Sequence, residues 1–280
     1  MNYCESLRYY SKKYKSIVCM GLDPVLEDIP IKKESLRNTI VAFYESILNK
    51  CLQSRIYPAC VKPNYAFYAQ YGIEGIQALC DVITLFKNEG FPVILDVKRG
   101  DIGKTATAYA KEAFEFFNAD AVTLSPYLGL DSIKPFTGNY PDKGCYVLVK
   151  TSNKSSSEIQ DIVVKDEPLY LLIAKKLIEW YTPGIGAVVG ATFPKQLQDI
   201  ITVFEESGKD IPLLIPGIGT QGGDMEAVTK ILNGSKNKSL HRVNASSSIN
   251  YAYKESQYQL MHYDEAAVEA LKKLNETLGY

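Results

Sequence analysis

Histidine is nearly missing from this chain, with two residues, His241 and His262, in 280. The six cysteines are scattered and none forms a Cys-x-x-Cys pair, so no zinc-ligand spacing is present and no metal site is expected. An excess of either charge is missing too: 31 Lys and Arg face 32 Asp and Glu, for a formal net charge of -1. That balance argues against a nucleic-acid footprint, which needs a basic stripe, and leaves any charged substrate to be met by a local site. No apolar run is long enough to span a bilayer, and no basic and then apolar leader opens the chain, so no membrane partner is expected. Cys19, Cys60 and Cys145 lie inside apolar runs and read as buried thiols. A reducing cytoplasm is the expected compartment.

What the chain has in abundance is alternation. Eight short apolar runs recur: Ser16–Met20, Pro58–Val61, Pro92–Leu95, Asp120–Leu124, Cys145–Val149, Ala187–Val189, Pro212–Ile215 and Arg242–Asn244. Each is almost continuously apolar, as in parallel strands buried on both faces. Helical patterns lie between and after them, over Ser35–Leu52, Ile73–Asn88, Thr105–Phe117, Pro168–Tyr181, Pro194–Glu206 and Tyr263–Leu278. Eight β/α alternations without a linker or repeat predict one α/β domain over residues 1–280. A (β/α)8 TIM barrel is the expected form, though the same pattern also permits an open sheet. Thr151–Ile159, after the fifth strand, is loop-like and falls on the end where barrels keep active sites. Asn233–Ser239 falls on the opposite end and reads as a solvated insertion.

The polar residues that leave the strands carry the chemistry. The third run passes directly into Asp96-Val-Lys-Arg-Gly-Asp-Ile102, two carboxylates and a lysine where a buried strand should stop. Strand alternation points Asp96 and Lys98 the same way. Buried charges are costly unless paired or used. The other strands end in Gly21-Leu-Asp23, Lys62-Pro-Asn64, Lys150-Thr-Ser152-Asn153, Pro216-Gly217 and Asn244-Ala-Ser246-Ser247-Ser248. In a barrel these converge on one mouth, so Asp23, Lys62, Asp96 and Lys98 are expected in one pocket. Glycines 217, 219, 222 and 223, ahead of a helix from about Asp224, suit close approach of backbone N–H groups to a phosphate; a tight turn explains them equally well.

Together these segments resemble the orotidine 5′-monophosphate decarboxylase family. The resemblance rests on Asp96-x-Lys98-x-x-Asp101-Ile102 with Gly103 and Thr105 behind it, on Gly21-Leu-Asp23-Pro24, and on Lys62-Pro-Asn-Tyr-Ala-Phe67. It extends to Val149-Lys-Thr-Ser152-Asn, Val189-Gly-Ala-Thr192 and Pro216-Gly-Ile-Gly-Thr-Gln221-Gly-Gly. The motifs run in order along the whole chain and are closest to the branch called type 2. The resemblance implies a decarboxylase needing neither cofactor nor metal, with orotidine and uridine monophosphate as ligands, acting as a homodimer with shared sites. It implies an alternating charge chain of Lys62, Asp96, Lys98 and the neighbouring subunit's copy of Asp101, in which Lys98 protonates C6. Ile102 and Thr105 would also serve the neighbour's pocket. Asp23 and Lys62 would hold the ribose, and Ser152 the pyrimidine. Gln221 would bridge toward the phosphate, beside Pro216, Gly217, Ser246 and Ser247.

One position departs from the family. Asn-Ala/Ser-Ser-Arg usually follows the eighth strand, and its arginine clamps phosphate; here Ser247 stands in that place. Loss of a bidentate guanidinium predicts a weaker phosphate grip and raised Michaelis constants. Arg242 lies inside the strand, poorly placed to substitute, which leaves Lys254 or a flexible lysine elsewhere as the candidate stand-in. The departure leaves two other readings: a weakly active or non-catalytic nucleotide-binding barrel, and a sugar-phosphate decarboxylase or epimerase of the same superfamily. The latter commonly carries a glutamate ahead of the Asp-x-Lys run, where this chain has Leu95, and a magnesium ion.

Overall fold

A computed structural model describes residues 1–218 and 224–280. Eight parallel strands form one sheet: β1 (Val18–Leu22), β2 (Cys60–Pro63), β3 (Ile94–Arg99), β4 (Ala121–Leu124), β5 (Gly144–Lys150), β6 (Ile185–Val189), β7 (Leu213–Ile215) and β8 (Arg242–Ala245). β1 pairs with both β2 and β8, and the ladder runs on from β8 through β7, β6, β5 and β4 to β3. Bridges Val61–Val93 and Asn64–Asp96 join β2 to β3, so the sheet closes into the expected barrel. The β-branched runs form strands because both of their faces are covered: every residue of β1, β2, β4 and β6 is buried.

Strand limits shift from the sequence reading where pairing, not hydropathy, decides. Ser16 is not in β1: its hydroxyl accepts the Val18 N–H at 2.9 Å, ahead of the ladder. β3 does not stop at Leu95 but continues through the charged residues to Arg99. The helix expected over Thr105–Phe117 is regular only over Gly103–Lys111, then widens into a π turn over Glu112–Phe116. The Thr151–Ile159 stretch holds a 3₁₀ turn and a short helix, Ser157–Gln160, and is followed by a small hairpin pairing Val163–Val164 with Glu167–Pro168. Asn233–Ser239 is less detached than an insertion: Asn233 and Gly234 finish a helix, Asn237 bonds Arg8, and Ser235 bonds Glu205 at 2.6 Å.

The barrel floor is closed by a helix that hydropathy alone did not announce. Tyr3–Tyr14 starts with a reciprocal cap, the Asn2 side chain accepting from Glu5 N and Glu5 accepting from Asn2 N, both at 2.9 Å. It presses Tyr3, Cys4 and Leu7 against Cys19, Cys60, Ile94 and Tyr146, which point into the lower barrel. Arg242 is fully buried at this end, its guanidinium donating to the carbonyls of Leu7 (2.6 Å), His241 (2.8 Å) and Ser239 (3.0 Å). The described residues include no helix long and apolar enough to cross a membrane.

His241 is buried beside Arg242 and is wired as a neutral ring. Its Nδ1 accepts the Leu213 N–H at 3.2 Å, and Nε2 lies 3.3 Å from Ser235 Oγ, whose own proton goes to Glu205. Burial, helped by Arg242, lowers its pKa from 6.5 to about 3. Unfolded histidine protonates first on acidification, so this stability is complete above 6.5 and is lost as pH falls toward the folded value. Between pH 6.5 and 5.5 the loss is about 1 kcal/mol, rising to about 1.4 kcal/mol per further unit. Urea unfolding across pH is expected to show that extra slope in the wild type and not in His241→Gln; equal slopes would refute the assignment.

Candidate active site

The C-terminal ends of the strands surround a cavity of about 690 Å³. It collects the expected residues from the whole chain: Asp23 after β1, Lys62 on β2, and Asp96 and Lys98 on β3. Ser152 follows β5, Pro216 and Gly217 follow β7, and Ser246 and Ser247 follow β8; all five of these positions reach the same cavity. Gln221 lies outside the described residues, as do Gly219, Gly222 and Gly223. Asp101, Ile102 and Thr105 do not line this cavity. The Asp101 carboxylate accepts the Ile102 N–H at 2.8 Å, Ile102 is exposed, and it borders a separate, shallower groove with Lys104 and Asp131. The expectation of one pocket for Asp23, Lys62, Asp96 and Lys98 therefore holds in a single chain, while Asp101 faces elsewhere.

At the centre is the Asp96 carboxylate. Lys62 Nζ donates to its Oδ2 at 3.0 Å, Lys98 Nζ to its Oδ1 at 2.6 Å, and Thr123 Oγ1 to Oδ1 at 2.8 Å. Burial by itself would raise the Asp96 pKa, but Lys62 and then Lys98 overturn that and hold the carboxyl well below the usual carboxylate range. Burial likewise opposes charge on Lys62, and Asp96 and Asp23 reverse it, keeping the ammonium charged well above the usual lysine range. Lys98 differs from Lys62 in being half exposed toward the mouth. Asp23 completes the row by accepting the Asn64 N–H at 3.1 Å.

Lys98 reaches Asp96, but not by the regular alternation the sequence suggested. Its φ is 48°, left-handed backbone that costs an L-residue on the order of 1–2 kcal/mol. The β3–β4 register slips between Leu95 and Arg99, and the N–H groups of Val97 and Lys98 both turn to Thr123 Oγ1, at 3.0 and 2.9 Å. One hydroxyl thus pins a bulge, accepting two amides and donating to the carboxylate that the bulge serves. Thr123 was missed as a site residue; the available signal was a lone hydroxyl in the apolar strand Ala121-Val-Thr-Leu124.

Two strand-end glycines make room for the site. A Cβ on Gly21 would lie 2.6 Å from Ser246 Cβ, and one on Gly190 would lie 2.6 Å from Ser152 Cα. Tyr251 was also missed: its hydroxyl accepts the Val25 N–H at 2.7 Å and donates to the Asp23 carbonyl at 3.3 Å, bracing the strand-one exit. Arg242 sits at the floor, and Lys254 is paired with Asp28. Among the described residues no group of three or more His, Cys, Asp or Glu is placed to hold a metal ion.

A closed parallel barrel with a charged, partly buried cavity at its C-terminal mouth is the arrangement of a TIM-barrel enzyme. The sequence model of the orotidine 5′-phosphate decarboxylase / HUMPS family matches residues 16–257, and the chain belongs to that family. It is 40% identical over 261 residues to an orotidine 5′-phosphate decarboxylase of Cupriavidus necator, covering 92% of each chain. To the protein of the same name from Thermomicrobium roseum it is 41% identical over 230 residues, covering 81% of this chain and 79% of that one. The solved OMP decarboxylase of Leishmania donovani superposes with a TM-score of 0.78 at 33% identity, with 100% of both chains covered.

The Thr123 hydroxyl gives this site a direct test. Thr123→Val leaves two partly buried amides unsatisfied and is expected to destabilise the fold by about 1–3 kcal/mol, whereas Thr123→Ser keeps the hydroxyl and most of the stability. Denaturant unfolding of both variants measures the difference, and equal losses would refute the bulge-pin role.

Proposed function

We propose that this chain converts orotidine 5′-monophosphate to uridine 5′-monophosphate, the last step of de novo pyrimidine nucleotide synthesis. The observation that carries the reading is the Lys62–Asp96–Lys98 row at the barrel mouth, with Asp96 held by both lysines at 3.0 and 2.6 Å. The C6–carboxyl bond breaks, carbon dioxide leaves, and the electron pair stays on C6. The Lys98 ammonium, half exposed at the mouth, stabilises that carbanion and then donates its proton. Asp96 would lie beside the substrate carboxylate, a like-charge contact relieved as carbon dioxide departs. Asp23 and Lys62 hold the ribose, and Ser152 bonds the pyrimidine. Pro216, Gly217, Ser246 and Ser247 form the phosphate end, to which the family resemblance assigns Gln221 as well. The reading invokes no cofactor or metal. Ser247 in place of a guanidinium favours a looser phosphate grip, read out as a raised KM with the same chemistry.

The fourth member of the charge chain, Asp101, is supplied in this reading by a second copy of the chain, with Ile102 and Thr105. Support comes from their position outside their own cavity and from the apolar side chains Ile102, Tyr127, Leu128 and Leu130, all exposed on the neighbouring β3 and β4 exits. Such a cluster fits self-association. Six free cysteines, five of them buried, fit a reducing cytoplasm.

Loss of orotidine monophosphate absorbance is the assay. Lys98→Ala is expected to bind uridine monophosphate nearly as the wild type does. Its turnover should fall by several powers of ten, beyond the roughly 10²–10⁴ of ordinary acid catalysis, because the charge row is also broken. A variant with near-normal turnover would sink the assignment. Mixing Lys98→Ala with Asp101→Ala chains is expected to restore part of the activity, since one of the two shared sites regains both residues. No recovery in mixed dimers would rule out sharing.

A further inference from the structure

The segment between β5 and the small hairpin carries Ser152, Asn153 and Gln160 to the cavity wall. It has little apolar hold of its own. Of residues 151–160 only Ser156 is buried, and Ile159 is 62% exposed. A segment without buried apolar anchors should drift, because nothing offsets its conformational entropy. Its place is fixed instead by polar clasps at its two ends. Lys150, the last residue of β5, is fully buried and donates to Asp161 Oδ1 at 2.7 Å. One residue further in, Gln160 accepts the Thr151 N–H at 2.9 Å and donates to Thr151 Oγ1 at 2.8 Å. Thr192 holds the Ser152 carbonyl at 2.9 Å, across the gap that Gly190 leaves open.

Lys150 is an expensive way to fill that space. Its ammonium lies 4.5 Å from the centre of the Phe193 ring and 6.0 Å from that of Tyr170, where a methionine would pack without desolvating a charge. A buried lysine at this position therefore calls for a task that a methionine could not perform, and its carboxylate partner lies eleven residues on, at the far end of the exposed segment.

We propose that Lys150 is a positioning residue: with Asp161 it latches residues 151–161 into a closed loop, which sets Ser152 and Gln160 against the cavity. The inference rests on the decarboxylase reading for the ligand concerned, orotidine monophosphate. The latch itself stands on geometry in the free protein.

The test compares wild type, Lys150→Met, Lys150→Arg and the double variant Lys150→Met/Asp161→Leu, each confirmed as folded by circular dichroism. Lys150→Met is expected to speed amide exchange across residues 151–161 while leaving β5 and β6 protected. It should raise KM for orotidine monophosphate by up to about tenfold, the worth of a misplaced hydrogen bond, with a smaller change in kcat. Lys150→Arg should restore much of both, since a guanidinium can reach the same carboxylate. The double variant, with no unpaired charge left to strain the fold, should keep the fast exchange and the raised KM. Unchanged loop exchange in both methionine variants would overturn the latch, as would a kcat loss with KM intact. A wild-type protein inactive on orotidine monophosphate would instead overturn the decarboxylase reading, and the exchange data, taken without nucleotide, would still decide the latch.

Discussion

The site depends on one carboxylate. Asp96 is nearly buried, and its charge is tolerable only because Lys62, Lys98 and Thr123 all donate to it. Each donor comes with a structural commitment. Lys62 must stand on β2 opposite the bulge, Lys98 must accept left-handed backbone, and Thr123 must place a hydroxyl in an apolar strand. Removing Thr123 leaves the Val97 and Lys98 amides without that acceptor, and removing either lysine leaves Asp96 with one cation in place of two, so each loss weakens the rest of the cluster.

The two ends of the barrel handle buried charge in different ways. At the floor Arg242 is met by backbone carbonyls and covered by the helix Tyr3–Tyr14, with a neutral His241 beside it. That end is closed. At the mouth the charges are paired with each other and left partly open through Lys98. Lys150, also at the mouth, is fully buried and spent on holding a loop.

Much of this was legible in the sequence because buried parallel strands write themselves as apolar runs, and barrel topology then gathers their polar ends. Asp23, Lys62, Asp96 and Lys98 could be assembled on that basis alone, whereas Ser152 and Ser247 were singled out by the family resemblance. The rest depended on contacts that residue type does not announce. Nothing in Asp-Val-Lys-Arg says that Lys98 will sit at a φ of 48°, because the bulge is imposed by a hydroxyl on the next strand. The floor helix was hidden because its apolar stripe is made largely of tyrosines among Glu5, Arg8, Lys12 and Lys13. The Thr151–Ile159 stretch read as a plain loop because what orders it is a pair of polar clasps, not periodicity.

The placement of the charged row on strands has a consequence for how such a protein can change over descent. Lys62 and Asp96 are held at their separation by barrel pairing, since β2 and β3 are bridged at Asn64 and Asp96 itself. Ser246 and Ser247 stand on a short helical turn beyond the last ladder bond of β8. Mutations accumulating on that turn do not pass through the ladder, so the chemistry-bearing strands and the ligand-gripping turns can be inherited as separable parts. A lineage can exchange an arginine for Ser247 in one step and carry the 3.0 and 2.6 Å pairs forward untouched.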